Sequence, residues 1–121
     1  MTVNTNTVVD DRTREMLAAL SSGQTEVLAQ AADLRGMLRE DSGLSPRSFA
    51  MVKIAALIAI DAPPASYIWQ VREALSAGVT PRDIIGILIA VAPQVGVPRV
   101  LGAAPEIMVA LDLELPAGLD I

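Results

Sequence analysis

The chain has 121 residues with no cysteine and no histidine, which removes disulfides, thiolate nucleophiles, thiolate metal sites and the commonest general base at once. Its formal net charge of -5 is the wrong sign for a nucleic-acid surface or a polybasic membrane surface. Hydrophobic residues reach 52% although aromatics supply only 2%. One domain of this size hides roughly 65% of its unfolded surface, so the aliphatic surplus predicts self-association through an apolar interface.

Residues 1–9 read as a flexible polar arm, without the basic start and apolar run of a secretory signal, and the expected location is cytoplasmic. Asp10 or Asp11 can cap a first helix to about Leu20, with Met16, Leu17 and Leu20 on one side. Ser21-Ser22-Gly23 breaks it. A second helix is expected from about Thr25 to Arg39, with Val27, Leu28, Ala31, Leu34 and Leu38 at helical spacing, stopped by Asp41-Ser42-Gly43.

Ser45 caps a third helix, and Pro46 takes its first position, where a missing N–H costs nothing. That helix continues to about Ile60. Pro63-Pro64 opens a fourth, ended by Gly78 as a left-handed cap. Thr80-Pro81-Arg82-Asp83 starts a fifth, running to about Ala92, with Asp83 placed to favour the amino-terminal end of the helix dipole. Pro98 opens the last helical region, which Pro105 is expected to kink or split.

No alternating strand pattern occurs. The expectation is an all-α fold of about six helices, one domain over 10–114 and an irregular tail over 115–121. The longest charge-free apolar run, Ile84 to Pro98, is about 15 residues, short of the ~20 that a membrane helix needs.

From Phe49 to Ile60 only Lys53 is not apolar. A helix apolar all round is expected to be buried all round, at the centre of the protomer or under another subunit. Lys53 has two readings: a snorkelling stem with its ammonium in water or in an intersubunit salt bridge, or a catalytic lysine of depressed pKa. Met51 and Lys53 point about 160° apart at two residues' separation. A site that faces Met51 therefore leaves Lys53 on another side.

On the fourth helix Pro63, Ser66, Gln70 and Glu73 recur at spacings of three, four and three, on one face. The first three offer a pyrrolidine ring, a hydroxyl and a neutral amide, none of which titrates near pH 7. Ser66 as a nucleophile needs a base, and Glu73 is the only candidate on its stripe; capping near the helix start is its structural role. Gln70 can hydrogen-bond a ligand carbonyl or simply satisfy backbone groups. Trp69, Arg72 and Glu73 form a second group, in which Arg72 can stack on Trp69, make a structural salt bridge or bind a substrate carboxylate. Tyr67 and Phe49 read as packing.

Leu44-Ser45-Pro46-Arg47, Arg72-Glu73-Ala74-Leu75, Gly78-Val79-Thr80 and Gly96-Val97-Pro98 together resemble the carboxymuconolactone decarboxylase family, which includes the alkyl hydroperoxide reductase D-like proteins. The resemblance spans about 55 residues, Leu44 to Pro98. It implies an all-helical fold, assembly as a trimer or hexamer, and either decarboxylation of a muconolactone or peroxide reduction through a cysteine pair. Counting back from Gly78, the family's histidine position holds Gln70, the two cysteine positions hold Pro63 and Ser66, and the upstream glutamate position holds Met51. Those departures remove the groups on which both activities rest.

The pocket candidates are therefore Met51, Pro63, Ser66, Gln70 and Glu73, with Lys53, Tyr67, Trp69 and Arg72 behind them. No metal or cofactor is expected. Two function classes follow: a non-catalytic homotrimer or hexamer that scaffolds or binds an apolar or lactone-like small molecule, and a non-redox enzyme acting on a small carboxylate or lactone through a rebuilt site.

Overall fold

The computed structural model describes residues 8–24 and 29–119. Six helices follow one another: α1 Asp11–Ser21, α2 Ala29–Ser42, α3 Pro46–Ile60, α4 Pro64–Ser76, α5 Pro81–Val95 and α6 Val97–Ala110. No strand occurs among the described residues. The expected start of the second helix at Thr25, its apolar Val27 and Leu28, and most of the amino-terminal arm lie outside the described residues.

The helix starts follow from local chemistry. The Asp10 carboxylate accepts from the Thr13 N–H at 2.7 Å and opens α1. The Ser45 hydroxyl accepts from the Ser48 N–H at 3.0 Å, with Pro46 at the first position of α3. At α5 the exchange is reciprocal: Asp83 N–H donates to Thr80 Oγ1 at 3.0 Å, and Thr80 N–H donates to Asp83 Oδ2 at 2.9 Å. Two backbone donors that the first helical turn would leave unpaired are thereby satisfied.

The core lies between α3, α4, α5 and α6. Ala50, Ile54 and Ile58 enter it from α3, Tyr67, Val71 and Ala74 from α4, Ile84, Ile87 and Leu88 from α5, and Ala103, Ile107 and Ala110 from α6. Each set follows the three-and-four spacing of one helical face. Fully buried isoleucines such as Ile54 and Ile58 each contribute about 1.5–3 kcal/mol by leaving water. The Arg47 guanidinium meets the Asp83 carboxylate at 2.8 Å and pins the amino-terminal ends of α3 and α5 together.

Three expectations need correction. The third helix is not central in the protomer, which covers it on one side only: Val52 and Ile60 are 57% and 69% exposed, and Ala56 and Ala59 are exposed with them. Its all-apolar composition outruns what this chain covers. Proline also interrupts less than its chemistry suggests, since Pro93 lies inside α5 and Pro105 inside α6. The carbonyls that these prolines leave without an intrahelical partner belong to Ile89 and Leu101, 63% and 66% exposed. Water can take them there, so neither helix ends. The second helix, finally, runs through Asp41 and Ser42 to stop at Gly43, whose φ of 71° is left-handed.

The α1–α2 corner touches α4 through Gly23. This glycine has φ +80°, and a Cβ placed on it would stand 2.9 Å from the Ala65 carbonyl oxygen and 3.8 Å from Trp69 Cβ. Only a residue without a side chain allows that approach. Gly23→Ala should push the corner off the first turn of α4 and cost about 1–3 kcal/mol of backbone strain. The change reads out as a red shift of Trp69 emission and a lower thermal midpoint; an unchanged spectrum and midpoint would refute the close approach.

The cap of α5 carries a pH signature. The Thr80 N–H, the Arg47 guanidinium and the Thr80 hydroxyl contact hold the Asp83 carboxyl below the ordinary aspartate range, in that order of effect. A group whose folded pKa is depressed contributes stability above its unfolded value and loses it as the pH falls through the folded one. Stability should therefore drop as the pH is taken down from about 4, and Asp83→Asn should flatten that drop. Thr80→Ala should cost about 1 kcal/mol at neutral pH by losing the cap hydroxyl. Urea titrations of the three proteins between neutral pH and acid measure both effects.

Candidate ligand cleft

On α4 two neighbouring stripes divide the work. Tyr67, Val71 and Ala74 face the core, and Trp69, Gln70, Glu73 and Ala77 lie to one side of them. On α3, Phe49 and Lys53, one turn apart, flank the core residues Ala50 and Ile54 in the same way. These flanks meet across a cleft of about 240 Å³, completed by Pro46 and by Gly36 and Arg39 of α2. The floor is aromatic and small-residue surface, while Arg39, Lys53, Gln70 and Glu73 supply the polar groups.

Lys53 defines the arrangement. Its Nζ stands 5.3 Å from the centroid of the Phe49 ring and 5.3 Å from that of Trp69. Each ring quadrupole attracts the cation by about 0.5–1 kcal/mol where water has access. The side chain is half-buried, with its ammonium at the cleft between one ring from α3 and one from α4. The two rings place this side chain at the cleft.

Of the expected pocket residues, Gln70 and Glu73 border this cleft, as do Lys53 and Trp69. Met51, Pro63 and Ser66 do not. Met51 packs on the core from the other side of α3, as its separation from Lys53 on the helix requires. Pro63 is the exposed N-cap residue of α4, which opens without a side-chain cap, so Ser66 does not fill the capping role. Ser66 sits half-buried in the first turn, its backbone N–H bonded to the Pro63 carbonyl at 3.0 Å.

Tyr67 is 2% exposed in the core, and its phenol is pushed up by burial first and then by the Asp61 and Glu106 carboxylates. Arg72 is exposed, and Lys53 of the facing helix stands over the Trp69 ring.

Sequence reasoning missed Arg39, Gly36 and the position of Phe49. Gly36 carried a weak signal, since a glycine within a helix invites a packing reason. Arg39 carried none, because only the bend between α2 and α3 brings it to the cleft. Among the described residues no group of three acidic side chains has the arrangement of a metal site.

The model of the Carboxymuconolactone decarboxylase family matches residues 25–108, a span that takes in α2 to α5 whole and most of α6. No curated protein and no solved structure matches the chain. With well over half of its length inside the family's pattern and its six helices in place, the chain belongs to the carboxymuconolactone decarboxylase family.

Proposed function

We propose that this family member binds a small organic carboxylate or lactone in the α2–α3–α4 cleft and works without a thiol, a metal or a cofactor. The observation that carries the reading is the Lys53 ammonium held between the Phe49 and Trp69 rings beside Arg39, Gln70 and Glu73. A carboxylate laid on the aromatic floor meets two cations. A lactone or ketone oxygen meets the Gln70 amide, a neutral donor. A hydrocarbon would strip water from these groups and return nothing, which costs free energy for every polar group left unpaired. The charge set therefore favours an anion over the apolar ligand that the neutral stripe alone suggests.

Glu73 is the one carboxylate that the described residues bring to the cleft wall. It is the group available to accept a proton from a bound ligand, with the cations holding the negative charge that results. A lyase or isomerase step of this kind needs no electron acceptor.

The chain's single tryptophan lies in the cleft, so its emission reports occupancy without a label. A small unsaturated carboxylate should bind about tenfold tighter than its primary amide, since a charge-assisted hydrogen bond contributes about 1.5–3 kcal/mol. Lys53→Ala should remove most of that preference while leaving the amide's affinity nearly unchanged. Glu73→Gln should keep binding and abolish any turnover. Tightest binding by a hydrocarbon of the same shape, indifferent to Lys53→Ala, would defeat the proposal.

A separate outcome concerns peroxide. Thiol peroxidases attack through a thiolate, and this chain has no cysteine. Peroxide consumption with a dithiol donor should therefore equal the protein-free rate. Saturable turnover in metal-free buffer would contradict it.

A further inference from the structure

We propose that Gly36 is a specificity-determining residue, the point on the α2 wall that sets how wide a ligand the cleft admits. This role rests on the ligand reading proposed for the cleft and adds shape to charge: the carboxylates it takes carry a branch or a ring rather than a bare straight chain.

Glycine at this position has no reason in the helix itself. Gly36 lies midway along α2, where glycine costs helix stability relative to alanine. Gly23 and Gly43, before and after the helix, have left-handed φ values of 80° and 71°, and Gly36 does not. No turn demands it. Packing does not demand it either. A Cβ on Gly36 would meet nothing within 4 Å among the described residues, whereas one on Gly23 would stand 2.9 Å from the Ala65 carbonyl oxygen.

What Gly36 does border is the cleft. Arg39 follows three residues later on the same face of α2 and borders it too. A carboxylate held by the Arg39 guanidinium therefore brings its carbon body within one helical turn of Gly36. The cleft holds about 240 Å³, less than the roughly 300–1,000 Å³ of drug-sized sites. In so small a space one added side chain removes a large share of the room. Glycine at 36 keeps that share for the ligand.

Calorimetric titration of the full chain with crotonate, cinnamate and their primary amides separates size from charge. Gly36→Leu should weaken cinnamate and cinnamamide by about tenfold, the cost of modest overpacking, and leave crotonate nearly unchanged. Gly36→Ala should act in the same direction by a smaller factor. It should also raise the thermal midpoint, because alanine suits a helix better where its methyl meets nothing. If Gly36→Leu loses the parent's circular dichroism, the Gly36→Ala ratios decide. A cinnamate-to-crotonate ratio that stays at the parent's value overturns the size role, whatever the acids' advantage over the amides. A lower midpoint for Gly36→Ala overturns it as well, since the space would then belong to the fold. Amides that bind the parent as tightly as the acids, with the size effect intact, sink the charge reading alone. A parent that binds none of the four probes overturns both.

Discussion

The position of one ammonium group organises this molecule. Lys53 is the only charge on α3 beyond its first turn, and the two rings at 5.3 Å hold it at the α3–α4 flank. That choice assigns every other side of the helix. The face one step round carries Ala50, Ile54 and Ile58 into the core, and the face beyond carries Met51 and Ala55 against it. What remains is Val52, Ala56, Ala59 and Ile60, apolar and in water. A helix with one polar residue beyond its first turn and three environments is the reason that both a cleft and an uncovered face exist.

Signals contained in one helix were legible in the sequence. Ser45-Pro46 and Thr80-Pro81-Arg82-Asp83 state their caps in adjacent residues, and α3 and α5 begin where those residues place them. The family pattern was legible for the same reason, since its turn and cap residues are local. Pro105 does not split α6, because a proline's effect depends on whether the freed carbonyl reaches water, and that is decided by burial rather than by sequence. Arg39 and Phe49 were invisible as cleft residues because they come together only through the bend at Gly43 and the packing of α3 on α4. The apolar run of α3 announced burial on every side, and the protomer supplies cover on one side.

On α4 the fold and the chemistry occupy different faces. Tyr67, Val71 and Ala74 hold the helix in the core, while Ser66, Gln70 and Glu73 are each displaced by one residue from that row, about 100° round the helix, and Pro63 caps its start. Substitution on the second face does not disturb packing of the first. The positions that resemble a cysteine pair and a histidine can thus become proline, serine and glutamine while the helix stays seated. Pro63 and Ser66 lie beyond the cleft, and the residues of that stripe that border it are Gln70 and Glu73 at its other end, with Lys53 and Arg39 across from them. The polar end of the cleft lies a full turn or more along α4 from those two positions, on charged and amide groups.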